Sequence, residues 1–96
     1  MSNMHKKVAL VTGANKGIGF EIARQLAQKK IAVLVGARDP DRGMTACERL
    51  QSEGLDAHFI TVDVVRATSI EAAIGKIKDD FGRLDILVNN AGIQID

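Results

Sequence analysis

Four short apolar runs recur along the chain, Lys7 to Thr12, Ile31 to Gly36, Ala57 to Val62 and Asp85 to Asn89, with three longer amphipathic stretches between them. The runs are nearly continuous in Val, Ile, Leu and Ala instead of alternating, which is the pattern of parallel strands covered on both faces. His58 and Thr61 interrupt the third run, so it is expected nearer the sheet edge. The first long stretch, from about Gly17 to Lys30, repeats Ile18, Ile22 and Leu26 every four residues beside Ala23 and Ala27, predicting one buried helical stripe. The second opens at Asp39-Pro40-Asp41, where Asp39 suits a helix cap and Pro40 the first helical position, and it ends before Gly54. Met44, Cys47 and Leu50 form its predicted apolar line. The third carries the capping-box pattern Thr68-Ser69-Ile70-Glu71, then Ile70, Ile74, Ile77 and Phe81 on one face, with Gly82 as its stop.

Strand and helix therefore alternate as β-α-β-α-β-α-β, and no Ser/Gly/Pro linker, repeat or low-complexity tract breaks the order. Crossovers between parallel strands are right-handed in nearly every case, so a parallel four-stranded α/β sheet with three crossover helices follows. Its expected strand order is 3-2-1-4. That order reverses between the first and fourth strands, and ligands of such sheets bind outside the carboxyl ends of the strands at the reversal.

The most informative local motif stands at that place. Thr12-Gly13-Ala14-Asn15-Lys16-Gly17-Ile18-Gly19 follows the first strand and runs straight into the first helix. Gly13 permits a sharp turn, Gly17 removes a Cβ that would obstruct a phosphate, and Gly19 lets the helix pack tightly on the sheet. The helix start then offers unpaired N–H groups and a partial positive charge of about +0.5, suited to a pyrophosphate. Gly13, Asn15, Lys16, Gly17, Ile18 and Gly19 are accordingly the first candidate binding residues. A Walker A loop is excluded, because the fifth and sixth positions after Gly13 are Ile18 and Gly19 in place of Gly and Lys.

Composition narrows the alternatives. The 96 residues carry 13 Lys+Arg against 12 Asp+Glu, a formal charge of +1 without clustering, which gives no electrostatic reason to expect a nucleic acid or a membrane surface as partner. No apolar run approaches the roughly 20 residues of a membrane helix, and the run behind the basic Met1 to Lys7 start is too short for a signal peptide. One cysteine, Cys47, leaves no intrachain disulfide and suits a reducing, cytoplasmic setting. His5 and His58 read as a terminal and a partly exposed strand residue, and no metal cluster is expected. Tyrosine and tryptophan are both absent, so a mechanism needing a tyrosine acid/base cannot be completed within these residues.

Four motifs together carry a family resemblance. Thr12-Gly13-x-x-x-Gly17-x-Gly19, Ala37-Arg38-Asp39, Asp63-Val64 and Asn89-Asn90-Ala91-Gly92 stand after successive strands, and with them the chain resembles the short-chain dehydrogenases/reductases, most of all their carbonyl reductases, over essentially its whole length. The resemblance implies a Rossmann-type NADP(H)-binding domain over residues 1–96, incomplete relative to the family. It implies that Asp63 accepts from the adenine amino group with the Val64 backbone along the ring. It also implies that Asn90, Ala91 and Gly92 pass beneath the cofactor riboses, with a second, structural role open for Asn90 in holding the central strands.

NAD-preferring members of this fold place Asp or Glu at the end of the second strand. Ala37 occupies that position here, followed by Arg38, whose planar guanidinium matches a phosphate, and Lys16 can approach from the glycine loop. NADP(H) is therefore expected over NAD(H), with Asp39 read as a helix cap pointing away from the ribose. The family's Ser and Tyr-x-x-x-Lys lie beyond the Asn-Asn-Ala-Gly motif, so no catalytic residue is assigned and the chain is expected to be inactive alone. Ile86, Leu87 and Val88 are expected at an open sheet edge that invites self-association. Three readings follow: the cofactor-binding part of a carbonyl-reducing or alcohol-oxidising enzyme, a stand-alone nucleotide-binding or regulatory module, or a chain that only assembles through its edge.

Overall fold

The structure is a computed structural model that describes residues 6–90. Its elements run β1 (Val8–Thr12), α1 (Gly17–Gln28), β2 (Ala32–Ala37), α2 (Pro40–Ser52), β3 (Ala57–Thr61), α3 (Ala67–Phe81) and β4 (Ile86–Val88). The strands form one parallel sheet in the order β3-β2-β1-β4, as the alternation of elements requires. β1 and β2 are buried at every position, whereas β3, at the edge, exposes His58 and Thr61.

Side-chain alternation splits the core into two layers. Val11, Val33 and Val35 face α1 and α2 together with Phe20, Ala23, Cys47 and Leu50. Val8, Leu10, Ala32 and Leu34 face α3, where Ala73 and Ile77 close over them. Both faces of the two central strands are thus covered, which is why their sequences are apolar apart from Thr12 at the end of β1.

Three sequence expectations are corrected. Ile18 is not part of the α1 stripe but 74% exposed; the buried positions are Gly19, Phe20, Ala23 and Ala27. A helix turns about 100° per residue, so aiming Gly19 inward carries Ile18 outward. Met44 is likewise 49% exposed, while Gly43, Ala46, Cys47 and Leu50 form the inner line of α2. A Cβ on Gly43 would collide with the Phe59 ring, so glycine is what allows α2 to lie this close to β3. The capping box at Thr68 does not form either. Helix α3 starts at Ala67 after Arg66, which provides no side-chain cap, and Ser69 Oγ instead accepts from the Asp63 N–H at 2.9 Å.

The other predicted ends hold. Asp39 Oδ1 accepts from the Asp41 and Arg42 N–H groups at 2.9 and 3.4 Å, with Pro40 opening α2. Gly82 ends α3 in the left-handed region at φ +82°, its N–H donating to Lys78 O at 2.8 Å.

Candidate nucleotide-binding site

The loop from β1 to α1 takes its shape from two backbone positions that L side chains rarely adopt. Gly13 has φ +64° and Gly17 φ +62°. Ala14 N–H donates to Gly36 O at 3.2 Å, anchoring the loop over the end of β2. Lys16, in extended backbone, stands before α1 without a side-chain cap, and the first helical bond is Phe20 N–H to Lys16 O at 3.4 Å. The N–H groups of Lys16, Gly17, Ile18 and Gly19 therefore precede any helical acceptor. An added Cβ on Gly17 would meet nothing within 4 Å, so the space beside this turn is open. Gly19 is the opposite case: its Cβ would strike Gly13 O and lie 2.7 Å from Asn90 Nδ2.

A hollow of about 240 Å³ opens at the carboxyl ends of β1, β2 and β3, lined by Gly13, Asn15, Arg38, Asp63 and Val64 with the apolar Ala37, Val62 and Val65. Five sequence-selected residues from three separate loops thus share one concavity. Asp63 is fixed by its own turn, with Oδ1 accepting from the Val65 N–H at 3.2 Å and its carbonyl from the Arg66 N–H at 3.0 Å. Its Oδ2 has no partner among the described residues. Val65, 79% exposed, was not selected from sequence.

Cations across the described residues differ in their commitments. Arg24 makes a two-pronged contact to Glu53 at 3.0 and 2.7 Å, and Arg83 pairs with Asp85 at 2.7 Å. Arg38 and Lys16, both exposed, make no ion pair among the described residues. On the other side of Asn15, a hollow of about 460 Å³ lies between the glycine loop and α2, lined by Lys16, Asp41, Arg42, Thr45 and Arg49 among others. Arg49 stacks its guanidinium 4.4 Å from the Phe20 ring centroid.

At the end of β4, Thr12 Oγ1 donates to Asn89 Oδ1 at 3.0 Å, and Asn90 Nδ2 donates to Gly13 O at 3.4 Å. Asn90 therefore ties β4 to the glycine loop, the strand-holding geometry that sequence had left open. Ala91 and Gly92 lie outside the described residues. Among the described residues, no group of three or more His, Cys, Asp or Glu side chains could hold a metal ion, and no helix is long and apolar enough to cross a membrane.

The short chain dehydrogenase family model matches residues 7–96. The chain belongs to this family. It is 51% identical over 89 residues to carbonyl reductase [NADPH] 1 of Mus musculus, a match covering 92% of this chain and 32% of that protein. Among solved structures it is similar to the menthone neomenthol reductase of Mentha piperita, with TM-score 0.85 and 50% identity over 93% of this chain and 32% of that one. It also superposes on a variant of actinorhodin polyketide ketoreductase with NADPH, at TM-score 0.87 and 40% identity, covering 94% of this chain and 34% of the other. This short-chain dehydrogenase chain spans about a third of the length of these relatives.

Proposed function

We propose that residues 1–96 form an NADP(H)-binding Rossmann unit of an oxidoreductase that transfers hydride between the nicotinamide and a carbonyl or alcohol carbon. The observation that carries the proposal is the shared hollow with Arg38 in its lining, while Lys16 lines the adjoining hollow beyond Asn15, and neither cation makes an ion pair among the described residues. In this reading the N–H groups at Gly17, Ile18 and Gly19 receive the pyrophosphate, and the open space beside Gly17 admits it. Asp63 Oδ2 accepts from the adenine amino group, the Val64 backbone lies along the ring, and Asn90, Ala91 and Gly92 run beneath the riboses. Arg38 and Lys16 hold the 2′-phosphate, while Ala37 supplies no carboxylate to oppose it. The bound cofactor supplies the hydride. No residue here is assigned to proton transfer, and the chain contains no tyrosine.

A related mouse protein named carbonyl reductase [NADPH] 1 and a ketoreductase solved with NADPH support the cofactor choice. Cys47, a buried free thiol, suits work in the reducing cytoplasm.

The test is a titration with NADPH and NADH, read by cofactor fluorescence against a chain that has no Trp or Tyr emission of its own. A charge-assisted hydrogen bond contributes roughly 1.5–3 kcal/mol net, so Arg38→Ala is expected to weaken NADPH binding about ten- to a hundredfold. NADH binding should change little. Equal losses for both cofactors would refute the 2′-phosphate role.

A further inference from the structure

The turn that carries Asp63 departs from ordinary turn chemistry. Val62 N–H still donates to Ala37 O at 3.0 Å, tying the end of β3 to the end of β2. Asp63 then opens a turn closed by the Arg66 N–H to Asp63 O at 3.0 Å, and its Oδ1 accepts from the Val65 N–H at 3.2 Å. Asp63 N–H donates to Ser69 Oγ at 2.9 Å, so the turn is also fastened to the start of α3. Its two central positions are Val64 and Val65. Turns favour Gly, Pro, Asn, Asp and Ser, whose preset or permissive backbone or side-chain hydrogen bonds suit the bend. A β-branched apolar residue supplies neither. Val65 is moreover 79% exposed, more than Ile18, Met44 or Leu87, the other large apolar residues open to solvent among the described residues. Only its backbone N–H serves the turn, and its side chain belongs to neither core layer. That side chain lines the hollow of about 240 Å³ together with Ala37, Val62 and the polar Arg38 and Asp63.

We infer that Val65 is a nucleobase-contacting residue, its isopropyl group forming an apolar wall of the hollow that packs on the adenine ring of the dinucleotide. The inference deepens the NADP(H) reading above and rests on it. A purine has two apolar faces and a polar edge, and the lining offers a surface for each: Ala37, Val62 and Val65 for a face, Asp63 for the amino edge. In the free chain water covers Val65; a seated ring displaces that water, and the apolar area removed from it stabilises the complex. This contribution depends neither on charge nor on the 2′-phosphate, which sets Val65 apart from Arg38. A local rule broken without return to the fold is expected at a binding surface.

The test compares Val65→Ala with Val65→Ile in the full chain. NADPH and NADH are read by cofactor fluorescence, and AMP and inorganic pyrophosphate by displacement of NADH. Val65→Ala should weaken NADPH, NADH and AMP alike, about three- to tenfold. Displacement by pyrophosphate, which carries no base, should stay unchanged. The loss should persist in 1 M salt, where the Arg38→Ala loss shrinks because charges are screened beyond about 3 Å. Val65→Ile keeps the apolar wall and should bind all three nucleotides as the parent does. Neither variant should move the urea midpoint, since the side chain is exposed. Unchanged affinity in Val65→Ala, a loss confined to NADPH, a loss shared by pyrophosphate, or Val65→Ile binding as weakly as Val65→Ala would each overturn the inference. So would a lowered urea midpoint, which would make the side chain part of the turn's own structure. The two readings fail separately. A normal Arg38→Ala response beside an unaffected Val65→Ala removes only the role given to Val65, whereas a parent chain that binds none of the nucleotides removes the cofactor reading and this contact with it.

Discussion

Lys30 is the one described residue other than glycine with positive φ, at +66°. It ends α1 in the same way that Gly54 ends α2. Lys30 N–H donates to Ala27 O at 2.9 Å and Ile31 N–H to Leu26 O at 3.4 Å; in α2, Gly54 N–H donates to Gln51 O at 2.9 Å and Leu55 N–H to Leu50 O at 3.2 Å. This paired ending places its turning residue in the left-handed region, which costs a side-chain-bearing residue roughly 1–2 kcal/mol. The linear pattern places Lys30 only at the end of the first long stretch. Replacing Lys30 by Gly is expected to stabilise the fold by about 1 kcal/mol, the strain relief being partly offset by greater freedom of the unfolded chain. A rise in the urea midpoint at unchanged slope would show it. Single-residue features with a local cause, such as the Asp39 cap and the turn at Gly13, were legible in the amino-acid sequence. The Lys30 ending was not, because nothing in the lysine side chain announces the backbone beneath it.

At the scale of elements, the helices were found in sequence but two of their rotations were not. In α1 and α2 the inward direction is set by a glycine, Gly19 against Gly13 and Asn90 and Gly43 against Phe59, and in each case the larger neighbour, Ile18 or Met44, turns to solvent. Apolar periodicity assigns the stripe to the largest side chains, whereas close backbone approach selects the smallest. β4 shows a different device. Asp85 Oδ2 accepts from the Val8 N–H at 2.8 Å, and Asp85 N–H donates to Val8 O at 2.9 Å, pinning the start of β4 to β1. The hydrogen bonds from Arg83, and then that from Val8, hold the Asp85 carboxyl below the usual carboxylate range. A depressed folded value means that this contribution is present above about pH 3.9, the ordinary Asp value, and is lost as the pH falls through the lower folded one. Asp85→Asn should therefore destabilise the protein at pH 7 and approach the parent's stability near pH 2, as compared by denaturant unfolding at the two values. A constant difference across that range would exclude ionisation as the cause.

At the scale of the whole sheet, β4 is the outer strand beside β1 among the described residues, and its apolar exposure is narrower than the sequence suggested. Val88 packs against the α1–α2 layer and Ile86 is half-buried, while Leu87 is 48% exposed. Leu87 pairs in register with Leu10, on the face that α3 covers elsewhere. We expect concentration-dependent self-association through this edge, and Leu87→Lys should shift sedimentation toward the monomer; unchanged association in that variant would clear the edge of the role. The order of strands, the crossover helices and the glycine loop followed from the linear pattern, because backbone hydrogen bonding and burial on two faces leave few sequences free to form a parallel α/β sheet. Which loops converge on one hollow, which way each helix turns and which charges stay unpaired depended on distances between residues far apart in the chain. Arg38 and Asp63 are neighbours only because β2 and β3 end side by side. Local chemistry can be read along a line, but close approach and charge balance exist only once that line has been packed in three dimensions.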